Sequence, residues 1–164
     1  MNQPYAPNGF PNATVAPAAE SERSGFEGFS IAAIGVLLGA AVSIASYFLT
    51  WYYVTEDPDA KVDGLTRVTN SADYEVEFSG SRIHWLVLCA AVVLGGVAIW
   101  RLIGKYQANL VRPTLIISAL SVAAGAAGVF LVNDGFSAGT GAYLALVGAV
   151  IMAASGAVMA LAKK

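Results

Sequence analysis

The sequence predicts an all-α integral membrane protein, a bundle of four transmembrane helices with a short extracytoplasmic β-hairpin between helices 1 and 2. Of its 164 residues, 57% are hydrophobic and 12% are charged, and the mean hydropathy is +0.64. A soluble domain carries about 25% charged residues. Four runs without Asp, Glu, Lys or Arg, at 29–54, 83–100, 114–132 and 143–162, are each long enough to cross a bilayer.

The chain divides into a tail and a membrane domain. Residues 1–27 contain four prolines and no apolar periodicity, so we expect a disordered cytoplasmic tail. Residues 28–164 then form the four-helix domain, with spans at about 29–54, 83–103, 114–132 and 141–162 and an outer loop at 55–81.

The first span carries a small-residue face and an aromatic end. Gly35, Gly39 and Ser43 recur at every fourth residue, the spacing that lets another helix backbone approach closely in a membrane. Trp51, Tyr52 and Tyr53 follow, and their amphipathic rings suit the headgroup level, so we predict them to be interfacial anchors. An aromatic docking patch for a partner is the alternative.

The outer loop predicts a short hairpin. Leu65–Thr69 and Tyr74–Phe78 are its two strands, because the second alternates apolar and acidic residues and Asn70–Asp73 between them supplies turn chemistry. Tyr74, Val76 and Phe78 would face one way, onto the membrane surface or a neighbouring subunit, and are the expected partner contacts.

The same loop contains seven acidic residues, which raises the alternative of a cation site. Their spacing, from Glu56 to Asp63-Gly64, does not match the EF-hand pattern. We therefore expect a solvated acidic surface and no metal.

The second span carries Trp85 and Trp100 near its ends, and we predict both to be interfacial anchors. His84, the only histidine, is expected to be a polar residue at the membrane boundary, with tuning of a pH response as the alternative. Cys89, the only cysteine, is expected to be a small buried residue.

Small residues also mark the third and fourth spans. Ser121 and Gly125 lie one helical turn apart on the third. On the fourth, small residues fall within one sector of about 140° and large aliphatic residues lie opposite. This small face comprises Gly141, Ala145, Gly148, Ala149, Ala153 and Gly156. The faces of the three helices either pack together within one chain or receive another protein.

Charge asymmetry predicts the orientation in the cell membrane. One side carries six basic residues: Arg23, Arg101, Lys105, Arg112, Lys163 and Lys164. The other side carries Lys61, Arg67 and Arg82. By the positive-inside rule, both termini are cytoplasmic.

The residues needed for chemistry are absent from the four uncharged runs, which contain no Asp, Glu, Lys or Arg. Pumps and coupled transporters normally place such groups within the membrane. The sequence also shows no nucleophile–base pair, His/Cys cluster or carboxylate dyad. We expect no enzyme activity and no cofactor. The net charge of −2 favours no nucleic-acid or anionic-lipid partner, which leaves the lipid bilayer and other membrane proteins or further copies of the chain.

The layout resembles that of small four-span membrane proteins of actinobacteria and their phages, most of them without assigned function. The resemblance lies in the Pro/Tyr/Asn-rich tail, the Trp51-Tyr52-Tyr53 span end, the external loop and a last span beginning Gly-Ala-Tyr-Leu-Ala-Leu-Val-Gly-Ala. The first loop is also similar in architecture to that of claudin-like tetraspans, although their paired cysteines and Trp-Gly-Leu-Trp signature are absent. No functional residue carries over from either group.

Three functional hypotheses remain from the sequence. The leading one is a non-enzymatic accessory or scaffold component of a membrane complex. The alternatives are a phage-related membrane protein, either holin-like or acting in superinfection exclusion, and a small oligomeric channel.

Overall fold

The computed structural model describes residues 31–57, 59–69 and 82–161, which form a helical bundle with a small β-sheet at one end. Two short 3-10 helices, Arg82–His84 and Ala108–Leu110, precede the second and third of the α-helices described. The α-helices are α1 (Ile31–Ser46), α2 (Trp85–Leu102), α3 (Val111–Phe130) and α4 (Thr140–Leu161).

Three helices in the described ranges are long and apolar enough to cross a membrane. They are α2 with 18 residues, α3 together with its preceding 3-10 turn with 23, and α4 with 22. Helix α1 has 16 residues. At 1.5 Å per residue it reaches about 24 Å, against a hydrocarbon core of about 30 Å, so its described length is short for a span.

Helix α1 ends at Ser46, well before the predicted boundary at Val54. Backbone hydrogen bonds of the i to i−3 type close its last turn, from Tyr47 N to Ile44 O and from Phe48 N to Ala45 O, both 3.2 Å. Strand β1 (Thr50–Val54, sequence TWYYV) follows. Its residues are β-branched or aromatic, the types enriched in strands, and the same residues also suit an interfacial helix end.

The sheet joins two loops of the chain. Its antiparallel strands lie in the order β3 (Val68–Thr69), β2 (Lys61–Asp63), β1 and β4 (Phe136–Ala138). Tyr53 of β1 lies opposite Ser137 of β4. Since β1 follows α1 and β4 precedes α4, the α1–α2 and α3–α4 loops lie at the same end of the bundle.

The β structure predicted for the outer loop is confirmed as this small sheet, whereas the predicted pairing of residues 65–69 with 74–78 involves residues outside those described. Strand β3 pairs backwards with β2, with Val68 opposite Val62. The Asp63 carboxylate shapes the turn between them, accepting hydrogen bonds from the backbone N–H groups of Leu65 and Arg67, each at 2.9 Å. Tyr74, Val76 and Phe78 lie outside the described residues.

The helices pack in a ring. Helix α4 packs along α1 and α3, and α2 packs along the same two helices. Alanines make up much of the core, and its larger members include Val36, Leu94, Met152 and Met159. Large aliphatic side chains such as Leu38, Val92 and Leu120 are exposed on the outside. Such an apolar exterior is what lipid requires and water does not favour.

Candidate functional site

Trp51 is the centre of an aromatic cluster at the sheet end of the bundle. Its side chain is fully buried, and the indole N–H donates a hydrogen bond to the Ser46 carbonyl at 2.8 Å. The ring centroids of Tyr47 and His84 lie 4.8 and 5.0 Å from that of Trp51, and the Tyr52 centroid lies at 6.2 Å. We call these four residues the aromatic cap.

Three glycines from different elements make room for the Trp51 indole. A Cβ at Gly64, in the turn after β2, would lie 2.5 Å from the indole Nε1, and a Cβ at Gly141 on α4 would lie 2.5 Å from Cδ1. At Gly128 on α3 the distance to Cζ3 would be 3.4 Å. Only hydrogen fits at Gly64 and Gly141, and Gly128 leaves room for close contact. The Trp51 side chain therefore packs the sheet directly against α3 and α4.

His84 lies inside the aromatic cap, so its side chain is buried in the protein, at the start of α2 where the sequence placed the membrane boundary. His84 is 0% exposed, and its backbone carbonyl accepts a hydrogen bond from the Tyr47 hydroxyl. Its ring is stacked with that of Tyr47 at a centroid distance of 6.2 Å and edge-on to that of Tyr52 at 6.4 Å. A lone histidine beside an apolar run fits an interface or an aromatic core equally well by sequence.

Burial raises the pKa of both tyrosines in the aromatic cap. Desolvation of the phenolate is the main cause for Tyr47 and also raises the pKa of Tyr52. A tyrosine of ordinary pKa is already neutral at physiological pH, and the raised pKa makes both phenols harder still to ionise. They act as packing groups and hydrogen-bond partners, and neither is easily ionised.

The predicted interfacial anchors divide into two groups. Trp51 and Tyr52 are buried in the aromatic cap, and Tyr53 is half-buried on β1. A shift in register between Thr50 and Tyr52 accompanies the burial of two consecutive strand residues. Trp85 and Trp100 lie near the two ends of α2, 38% and 53% exposed. Those are positions an aromatic belt occupies.

The predicted small-residue faces meet inside this chain. A Cβ at Gly39 of α1 would lie 2.7 Å from both the carbonyl oxygen of Gly148 and the backbone nitrogen of Met152 on α4. A Cβ at Gly125 of α3 would lie 3.2 Å from the Cα of Leu146. Gly35 and Ala153 are half-buried, and the other predicted packing residues are buried: Ser43, Ser121, Gly141, Ala145, Ala149 and Gly156.

Three serine hydroxyls lie against glycines of a neighbouring helix, each in the space that a Cβ on the glycine would fill. The pairs are Ser43 with Gly148, Ser118 with Gly156 and Ser155 with Gly35. Within the described part of the chain, the buried Ser43 and Ser118 hydroxyls have no conventional hydrogen-bond partner. Ser118 is not among the predicted helix-packing residues. Its role shows only in the contact with Gly156, which the sequence around Ser118 does not indicate.

Cys89 is exposed on α2, which corrects the expectation that it is buried. Its neighbours on the same outward face include Leu86 and Val93. A small apolar residue fits a lipid-facing position as readily as a core position, so the residue type alone does not decide between them.

The acidic residues of the outer loop are dispersed where the structure describes them. Asp63 forms an ion pair with Arg67 at 2.7 Å, and Asp57 accepts a hydrogen bond from the Asp59 N–H at 3.2 Å. Among residues 31–57, 59–69 and 82–161, no group of three or more His, Cys, Asp or Glu residues is arranged to hold a metal ion. Asp73, Glu75 and Glu77 lie outside these ranges.

No protein-family model matches the chain, and neither a curated protein nor a solved structure matches it. The long apolar helices and their apolar exterior indicate a helical membrane protein, and one end of its bundle is covered by a β-sheet.

Proposed function

We propose that this chain is a non-enzymatic multi-pass membrane protein that serves as an accessory or scaffold component of a membrane complex. The observation that carries the proposal is the coupling of the sheet to the helices through Trp51. The glycine faces are occupied within the chain, and the outer helix faces are apolar. The sheet end is therefore a shaped polar surface that can hold a partner at a fixed position.

In this proposal the protein crosses the membrane four times, with both termini in the cytoplasm. The β1–β4 pairing supports an even number of membrane crossings, because it brings the first and third interhelical loops to the same end of the bundle. The apolar run of the first helix begins at Phe29, before the described helix, which adds length for a span. The positive-inside rule then assigns the sheet to the outer side.

The charge of the sheet end indicates the kind of partner. Glu56, Asp57, Asp59 and Asp134 lie there, while Asp63 is paired with Arg67. Lys61 and Arg82 are the other described cations at this end, so the acidic residues are in excess. A negative surface of this kind fits a partner with a basic surface, since complementary charge fixes orientation and speeds association.

The packing favours a scaffold over a channel. The serines available to line a pore, Ser43, Ser118 and Ser121, are buried at helix contacts within the chain. A pore formed between copies would then be lined by the outward faces, which carry large aliphatic residues. Such a lining is a poor path for ions, because nothing replaces their hydration shell.

Purification of the tagged full chain in mild detergent tests the scaffold proposal. We expect a stoichiometric partner with the wild type, lost in the Glu56→Lys/Asp59→Lys variant. The Gln107→Lys variant is the matched control, because it introduces the same side chain at an exposed position at the other end of the bundle. Absence of any stoichiometric partner, or equal recovery by both variants, would overturn the proposal.

Induced expression separates the scaffold from the phage-related alternative. A scaffold is tolerated by the cell. A holin-like protein kills abruptly with loss of membrane potential, and that outcome would replace the proposal with the holin-like function.

A further inference from the structure

Positive charge is concentrated at the end of the bundle opposite the sheet. Arg101 lies in the last turn of α2, Lys105 in the α2–α3 connector and Arg112 in the first turn of α3. The sequence has no Asp or Glu from Arg82 to Asn133. Within the described ranges, none of the three cations forms an ion pair.

A tight turn holds the first two cations in place. Gly104 has a φ of +73°, and the backbone bonds from Gly104 N to Arg101 O (3.1 Å) and from Lys105 N to Trp100 O (2.9 Å) form a Schellman motif. The Arg101 guanidinium lies 4.9 Å from the ring centroid of the buried Tyr106. This cation–π contact orients the guanidinium without neutralising its charge.

The position of Arg112 is not explained by helix stability. A cation in the last turn of a helix, such as Arg101, is favoured by the helix dipole, but a cation in the first turn is disfavoured. Helix α3 has 20 residues, and its first turn carries no acidic residue to offset Arg112. An anion placed among the three cations and this helix end would remove the repulsion.

The surroundings indicate which anion fits. Trp100 and Ile103 are 53% and 56% exposed beside the cations, at the end of an apolar helix. In the proposed four-span arrangement, the end of such a helix lies at the depth of the lipid phosphate groups. We infer that Arg101, Lys105 and Arg112 bind the phosphate of an anionic phospholipid headgroup. The chain's net charge of −2 does not oppose this, because charges more than about 10 Å away are largely screened.

Lipid retention by the purified full chain tests the inference, which rests on the membrane embedding of the proposed function. In native mass spectrometry from mild detergent, we expect retention of phosphatidylglycerol over phosphatidylcholine. Arg101→Gln, Lys105→Gln and Arg112→Gln should each lower that preference about fivefold, the effect of one charge near an anionic surface. Arg101→Lys/Arg112→Lys keeps both charges and should keep the preference even where packing changes. Lys61→Gln, at the sheet end, is the matched control.

The outcomes are distinguishable. Equal retention of the two lipids by the wild type, or an equal loss in Lys61→Gln, would overturn the inference. Inorganic phosphate that displaces phosphatidylglycerol at equal concentration would identify a free-anion site and would overturn the assignment to lipid. A chain that does not partition into membranes would overturn the proposed function itself, whereas an embedded chain without lipid preference would overturn the lipid inference alone.

Discussion

The hydroxyl of Ser43 on α1 lies against Gly148 on α4, in the space that a Cβ at position 148 would need. The same Cβ would lie 2.8 Å from the carbonyl oxygen of Gly39 and from the backbone nitrogen of Ser43. The backbones of α1 and α4 are thus in direct contact, which only small side chains permit. Since the obstructing atoms are mostly backbone, this crossing has little capacity to adjust.

Gly148→Ala should destabilise the fold. The added methyl group forces α1 and α4 apart, and overpacking of this kind costs about 1–3 kcal/mol. Gly96→Ala is the matched control, because Gly96 is also helical but has no atom within 4 Å of the position that an added methyl group would occupy. Unfolding in SDS followed by circular dichroism should show a lower midpoint for the first variant and an unchanged or higher one for the second. Equal midpoints would contradict the close crossing.

Trp51→Phe should destabilise the sheet end. The variant loses the 2.8 Å hydrogen bond to the Ser46 carbonyl, which keeps its bond from the Leu49 N–H, so the loss should cost about 0.5–1.5 kcal/mol. Trp100→Phe, at a position 53% exposed, should stay within about 0.5 kcal/mol of the wild type. Limited proteolysis of the outer loop and the SDS unfolding midpoint report the difference. If Trp100→Phe had the larger effect, the central role of Trp51 would be wrong.

Asp63→Ala should disturb the β2–β3 turn more than Arg67→Ala does. The Asp63 carboxylate accepts two backbone hydrogen bonds and one from the Arg67 side chain. Its loss should cost about 1–3 kcal/mol. Arg67 has a 65% exposed side chain, and an exposed ion pair contributes about 1 kcal/mol or less. Hydrogen exchange at Leu65 and Arg67 measures the turn directly, and similar protection in both variants would contradict this ranking.

Helices α2, α3 and α4 were predictable because length, charge and turn residues agree. Arg101 closes the run of α2, Arg112 opens that of α3, and the Asn133–Gly135 turn separates α3 from α4. The observed boundaries fall within a few residues of those predicted. In a membrane, backbone polar groups must be satisfied within a helix, so a long uncharged run leaves few alternatives.

The end of α1 was not predictable by the same argument. Residues 47–54 continue the uncharged run without a break, and their aromatic residues suit both a helix end and a strand. What decides for the strand is pairing with β2 and β4, which come from later parts of the sequence. Local pattern carries no information about those partners.

The aromatic cap lay beyond sequence reasoning for a related reason. Gly64, Gly128 and Gly141 surround one indole, but they are far apart in the chain and each has an ordinary local explanation. Gly64 follows an acidic residue in a loop, and the other two lie in apolar helices. Only the three-dimensional contact shows that they share one neighbour.

Cysteine accessibility tests whether the small face of α4 is used within one chain. Ala149 is 0% exposed and the next residue, Val150, is 48% exposed, so cysteines placed at these two positions differ in burial but not in depth along the helix. In a Cys89→Ala background, a maleimide reagent in mild detergent should alkylate Val150→Cys readily and Ala149→Cys slowly. Both variants should react fully after denaturation in SDS, which controls for reactivity of the thiol. The expected protection arises because α1 and α3 cover this face. Equal rates before denaturation would mean that the face is open in the isolated chain and available to a second protein.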